Sequence, residues 1–112
     1  MLRRLALALA VLLVAALAAL VRPDLPLDGL REKYAPPPSR FVRIAGMDVH
    51  VRDEGTGPAV VLLHGMGASL HTWDAWTARL RDSLRVVRLD LPGYGLTGPF
   101  ADRDYHVARY VP

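Results

Sequence analysis

The chain contains no cysteine, which excludes disulfides and thiolate metal sites and leaves its redox compartment unread. Acidic residues are missing from Met1–Arg22, a segment that holds Arg3, Arg4 and Arg22. With that segment set aside, the 14 basic and 11 acidic side chains of the whole chain reduce to eleven of each sign. The net charge of +3 therefore belongs to the leader, and with no basic patch elsewhere no nucleic-acid partner is expected. Lysine is almost absent: arginine supplies 13 of the 14 basic residues, a compositional bias. The four histidines, His50, His64, His71 and His106, show no H-x-x-x-H or similar spacing, so no metal site is expected. Internal repeats are lacking as well.

What is present begins with an apolar run, Leu5–Val21, of 17 residues without a polar side chain. A membrane-spanning helix needs roughly 17–25 such residues. A cleaved secretory signal would use a shorter apolar core, with Ala16-Leu17-Ala18 as its processing site. The preferred reading is an uncleaved anchor over residues 1–22 that contacts the membrane through residues 5–21. The paired arginines Arg3 and Arg4 place its N-terminus in the cytoplasm and the following domain on the extracytoplasmic side. Secretion after signal cleavage is the alternative, and a buried helix of a soluble protein is the third reading.

Residues 23–40 follow as a proline-rich linker; Arg22–Arg40 holds five of the nine prolines. Pro36-Pro37-Pro38 is expected to be extended, a semi-rigid spacer. From Phe41 the pattern has period two. Phe41–Ala45 and Asp48–Arg52 are expected to form an antiparallel hairpin at a sheet edge, turning through Gly46-Met47 in a type II′ loop. Val49 and Val51 then face inward, while Asp48, His50 and Arg52 face solvent. Ala59–Leu63 is short and continuously apolar, as in a strand buried on both faces. Thr72 is placed to cap a helix whose Trp73, Trp76, Leu80 and Leu84 share a core-facing side. Arg85–Leu89 is a further strand, and strand–helix–strand of this length implies a βαβ unit with parallel pairing. Asp104–Val111 could begin another helix.

Two stretches carry chemistry. After Leu63 the chain reads His64-Gly65-Met66-Gly67. Glycines there let the backbone turn off a strand end and leave the Met66 N–H free to hold an oxyanion. Gly93–Gly98, "GYGLTG", matches G-x-G-x-x-G, but Pro92 and Pro99 suit a turn rather than a helix-borne phosphate cradle. No cofactor is expected. His71 sits near the mouth of the presumed pocket, more simply as a solvated loop residue than as a substrate contact.

The order of these pieces is similar to the N-terminal part of an α/β-hydrolase-fold enzyme, over Phe41 to about Pro99. The carriers are the edge hairpin, "AVVLLHGMG", the tryptophan helix, and Asp90-x-Pro92-Gly93-x-Gly95. The anchor and spacer resemble membrane-anchored bacterial members. The resemblance implies an α/β sheet and an ester-like small-molecule substrate. Met66 N–H would be one oxyanion donor, His64 a brace rather than the catalytic base, and Asp90, Gly93 and Gly95 would shape the loop beside the pocket. It also implies a serine in a G-x-S-x-G elbow on the next strand, with acid and histidine later. None of Ser39, Ser69 and Ser83 has glycine at both −2 and +2, Ser69 coming nearest with Gly67 before it but His71 after it, so no catalytic residue is expected in this chain. Relatives with an aspartate nucleophile (epoxide hydrolases, haloalkane dehalogenases) often carry proline where this chain has Gly67, which favours the serine type. Residues 41–112 are accordingly expected to be an incomplete domain, inactive alone, of a longer enzyme. A short anchored protein without catalysis is the competing expectation.

Overall fold

The computed structural model describes residues 1–21 and 24–110. Arg22 and Pro23, where the anchor was expected to meet the linker, lie outside the described residues, as do Val111 and Pro112. Helix α1 spans Leu2–Leu20 and buries none of its residues. It is long and apolar enough to cross a membrane by length and composition.

A second helix, α2 (Leu27–Tyr34), occupies the stretch expected to be linker. Its N-terminus fits the physics of helix starts: Pro26 precedes it and Asp28 lies in the first turn, with Arg31 and Lys33 in the last. The helix is docked on the domain, since the His71 Nε2 lies 2.9 Å from the Tyr34 carbonyl. The proline triplet is not an extended rod either. Ser39 N–H reaches back to the Pro36 carbonyl at 3.0 Å, closing a turn.

Four strands form one sheet in the order β1-β2-β4-β3, with β1 at Arg40–Ile44, β2 at Met47–Glu54, β3 at Ala59–Leu63 and β4 at Arg85–Leu89. The hairpin pairs antiparallel with Ile44 opposite Met47. Its two loop residues are therefore Ala45 and Gly46, one position earlier than expected. Both have positive φ, 48° and 80°, the signature of a type I′ turn rather than II′. Strands β3 and β4 pair parallel, Ala59 opposite Arg85 through Leu63 opposite Leu89. The connection between them contains a 3₁₀ turn at Leu70–Trp73 and α3 at Asp74–Leu80.

Three expectations about burial fail for related reasons. Trp73, not Thr72, is the N-cap of α3, and no side-chain cap bond forms. Trp76 is 60% exposed, while Thr77 is buried beside a fully buried Leu70. The inward side thus runs through Leu70, Trp73, Thr77 and Leu80, spacings of three and four, and Trp76 falls off it. Strand β3 is an edge strand among the described residues, with Val61 and Leu63 more than half exposed. Finally, the polar side of β2 does not face water: His50 is fully buried and Arg52 largely so. His50, Arg52 and Glu54 share a sheet face with Arg88 and Val86 of β4, by register. That face is sealed by charge pairing: Arg88 bonds Glu54 at 2.7 Å and also Asp74 of α3. A buried guanidinium is tolerable only when its charge is matched in this way.

Candidate active-site loops

Two loops leave the C-terminal ends of the parallel strands: residues 64–69 after β3 and 90–98 after β4. His64 joins them from one side. Its Nε2 accepts the Leu91 N–H at 3.0 Å, which makes Nδ1 the protonated nitrogen, donating to the Gly65 carbonyl at 2.8 Å. The Tyr94 ring packs edge-on against the imidazole, centroids 5.5 Å apart.

Asp90 joins the loops from the other side. Its carboxylate is almost wholly buried and accepts three bonds: Leu70 N–H at 2.7 Å, Leu96 N–H at 2.8 Å and His50 Nδ1–H at 2.8 Å. Desolvation pushes the Asp90 pKa up, but these donors outweigh it and hold the carboxyl below its ordinary range. His50 extends the chain of contacts. Its Nε2 lies 2.9 Å from Ser39 Oγ, which also accepts from Arg52 Nε at 2.8 Å. The His50 main-chain N–H donates to Thr97 Oγ1 at 3.0 Å. The expectation that His50 is solvent-facing is therefore wrong, and for a readable reason: a histidine opposite a buried aspartate has a partner that local alternation cannot reveal.

The glycines divide into those the geometry needs and one it does not. Gly95 has φ +53°, and a Cβ there would overlap the Asp90 carboxylate. Gly93, at φ +80°, lies against the Tyr105 hydroxyl. Gly67 turns the first loop with φ +71°. Gly65 has no positive φ and open space around its α-carbon, so the sharp turn rests on Gly67 and on the 3.3 Å bond from Ala68 N–H to the Gly65 carbonyl. Met66 stands at the tip, 93% exposed. Among the described residues its N–H meets no hydrogen-bond acceptor.

Every motif residue singled out from the sequence (His64, Gly65, Met66, Gly67, Asp90, Gly93 and Gly95) belongs to these two loops. His50, Ser39 and Thr97 were missed. Parity was the available signal: residues 50, 52 and 54 share one sheet face, and all three found charged or polar partners across it. The His71 side chain is 29% exposed and lines a cavity of about 350 Å³ with Ser69, Asp90, Gly95 and Leu96 of the two loops. It bridges the Tyr34 carbonyl and Asp74, at 2.9 and 3.3 Å. Among the described residues no group of three His, Cys, Asp or Glu side chains could hold a metal ion.

No family model matches the chain. An uncharacterized protein of Mycobacterium tuberculosis is 39% identical over 78 residues, which cover 69% of this chain and 22% of the relative. The pimeloyl-[acyl-carrier protein] methyl ester esterase of Methylococcus capsulatus is 41% identical over 56 residues, 50% of this chain and 22% of that enzyme. Among solved structures, the Cif epoxide hydrolase from Acinetobacter nosocomialis superposes with a TM-score of 0.63 at 25% identity, covering 80% of this chain and 32% of its own. The epoxide hydrolase VrEH1 from Vigna radiata gives 0.54 at 34% identity, over 56% and 21%. The chain thus spans about a fifth of the length of these curated relatives. Similar sequences and similar structures agree on one architecture, and the sheet order, the parallel β3–β4 pair and the two cross-braced loops are its N-terminal portion: this chain belongs to the α/β-hydrolase fold family.

Proposed function

We propose that the chain forms the N-terminal sheet and one wall of the oxyanion hole of a membrane-anchored hydrolase acting on an ester-like small molecule. The Met66 N–H, free of any acceptor at a turn braced on both sides, is the observation that carries this reading. A main-chain donor fixed before substrate arrives stabilises developing negative charge without reorganising during the reaction. In this reading the nucleophile is a serine at the elbow of a strand paired to the free edge of β3, outside residues 1–112. It attacks the ester carbonyl while a histidine takes its proton, and the Met66 N–H with the amide after the nucleophile binds the oxyanion. His64 acts as a brace: both its ring nitrogens are engaged by main chain. Helix α1 anchors the enzyme, with the domain on the extracytoplasmic side. The esterase among the relatives supports the substrate class.

The solved neighbours support a second reading, because two of them are epoxide hydrolases. There an aspartate at the elbow would open an epoxide, and the same loop would face a different charge distribution. The test uses the protein expressed from its complete reading frame, assayed on a p-nitrophenyl ester and on an aryl epoxide. Ester turnover that falls about 100–1,000-fold in Met66→Pro but stays near the parent value in Met66→Ala supports the main-chain donor. Turnover of the epoxide alone selects the second reading. No turnover of either by a folded protein returns the chain to an anchored protein without catalysis.

A further inference from the structure

On the side of the hairpin turn lies a cleft of about 660 Å³, walled by α2, by the β1–β2 turn and by the glycine-rich loop 93–98. Its charged side chains are Arg31, Arg43 and Asp48. Arg43 and Asp48 neutralise each other at 3.0 Å. Arg31 has no such counterpart: among the described residues no carboxylate pairs with it, and its buried Nε–H has no hydrogen-bond acceptor.

The Arg31 guanidinium is held in place nonetheless. It lies over the Phe41 ring, 4.7 Å from the centroid, and the other contact of that ring is His50, stacked at 5.2 Å. A cation on an aromatic face is attracted through the flat side of the guanidinium. The N–H donors lie in its plane rather than on the face towards Phe41, and of them the Nε–H has no acceptor. A buried donor without a partner costs free energy in a native fold, and an anion, a ligand or a water can supply the missing acceptor. A planar fork of donors fits carboxylate and phosphate oxygens bidentately. The rest of the cleft suits an apolar body, with Leu27, Met47 and Phe100 on its walls, and its volume falls in the range of small-molecule sites.

We propose that this cleft binds a small soluble organic acid or phosphate ester, with its anionic group on the in-plane donors of Arg31 and its apolar part against Met47 and Phe100. The site is separate from the Met66 turn and does not depend on any hydrolytic activity.

The test is a titration of the full ¹⁵N-labelled chain in zwitterionic detergent, following the Arg31 Nε–H resonance with inorganic phosphate, with acetate, and with sodium chloride at matched ionic strength. A saturable shift with phosphate or acetate, absent with chloride, is expected. Arg31→Gln should weaken binding at least about tenfold, equivalent to about 1.4 kcal/mol, and Arg31→Lys, which keeps the charge but loses the fork, should weaken it as well. Arg43→Gln should leave it within about threefold, because that arginine is already spoken for by Asp48. The proposal is overturned if neither oxyanion shifts the resonance beyond the chloride control. Equal binding by Arg31→Gln overturns it too, as does a response only to nanodiscs of anionic lipid, which would make Arg31 a headgroup contact.

Discussion

Replacing Asp90 by asparagine removes one charge and changes almost no volume, so its cost reports the ionised group and its hydrogen bonds rather than packing. One carboxylate oxygen accepts from Leu70 N–H; the other accepts from both Leu96 N–H and His50 Nδ1–H. An asparagine amide has a single acceptor oxygen. With that oxygen on Leu70, its NH₂ faces two donors. His50 can escape by moving its proton to Nε2 and donating to Ser39 Oγ, 2.9 Å away. The Leu96 main-chain N–H has no such freedom and is left buried and unpaired. Reversing the amide abandons Leu70 instead. Losing hydrogen bonds to a charged acceptor costs about 1.5–3 kcal/mol each, and orphaning a donor about 1–3 kcal/mol. We expect Asp90→Asn to destabilise the domain by about 3–5 kcal/mol, against a total of about 5–15 kcal/mol for a typical domain. Urea unfolding of the full chain in detergent, followed by the near-ultraviolet signal of its two tryptophans, measures it. A loss below about 1 kcal/mol would refute the argument that one ionised group holds both loops.

Gly95→Ala should be more damaging than its size suggests, because the new methyl meets the Asp90 carboxylate and φ is +53°; a midpoint unchanged in urea would contradict this. Ala45→Gly should stabilise by about 1 kcal/mol, since alanine now sits at φ 48° in the type I′ turn, and thermal melting reads the gain. Acid should unfold the chain through depressed carboxyls. Asp90 is lowered despite its desolvation; Asp53 is lowered chiefly by its bond to Arg85; desolvation pushes Asp74 up, but Arg88 and His71 together bring it down. Their stabilisation is complete above the unfolded carboxyl pKa of about 3.9 and disappears as pH falls through the folded values. Stability flat from pH 7 to 5 and falling below about pH 4 is expected in a pH series of melts; a decline that begins above pH 6 would point to the histidines instead. In the 112-residue chain expressed alone, Val61→Lys on β3, an edge strand among the described residues where Val61 is 57% exposed, should reduce aggregation seen by light scattering.

The limits of β3 and β4 and the two candidate loops were legible because they depend on local signals. Apolar runs bounded by glycine and proline gave β3 and β4, and the length between them gave parallel pairing. The hairpin turn was displaced by one residue because glycine suits either turn type, and cross-strand register rather than residue preference decides between them. The role of His50 was hidden for a different reason. Its partner Asp90 is 40 residues away, and alternation along one strand cannot distinguish a polar face wetted by solvent from one sealed by ion pairs. Helix α2 was masked by flanking prolines and by its length: Leu27, Leu30 and Tyr34 do fall at i, i+3 and i+7, but eight residues are too few for that spacing to stand out until Tyr34 and Arg31 are seen against the domain.

The sheet order has a consequence in time. Strands β1 and β2 are joined by a two-residue turn and can pair as soon as both have been synthesised. Strand β3 pairs with β4, whose first residue follows the end of β3 by about 20 positions. At roughly 5–20 residues per second, Ala59–Leu63 spends about one to four seconds outside the ribosome as five apolar residues with no ladder to join. That interval is short compared with completing a long polypeptide but long compared with hydrophobic collapse. During it "AVVLL" is the segment of this domain most open to capture by a holding chaperone, and the arrival of Arg85–Leu89 is the event that ends the capture.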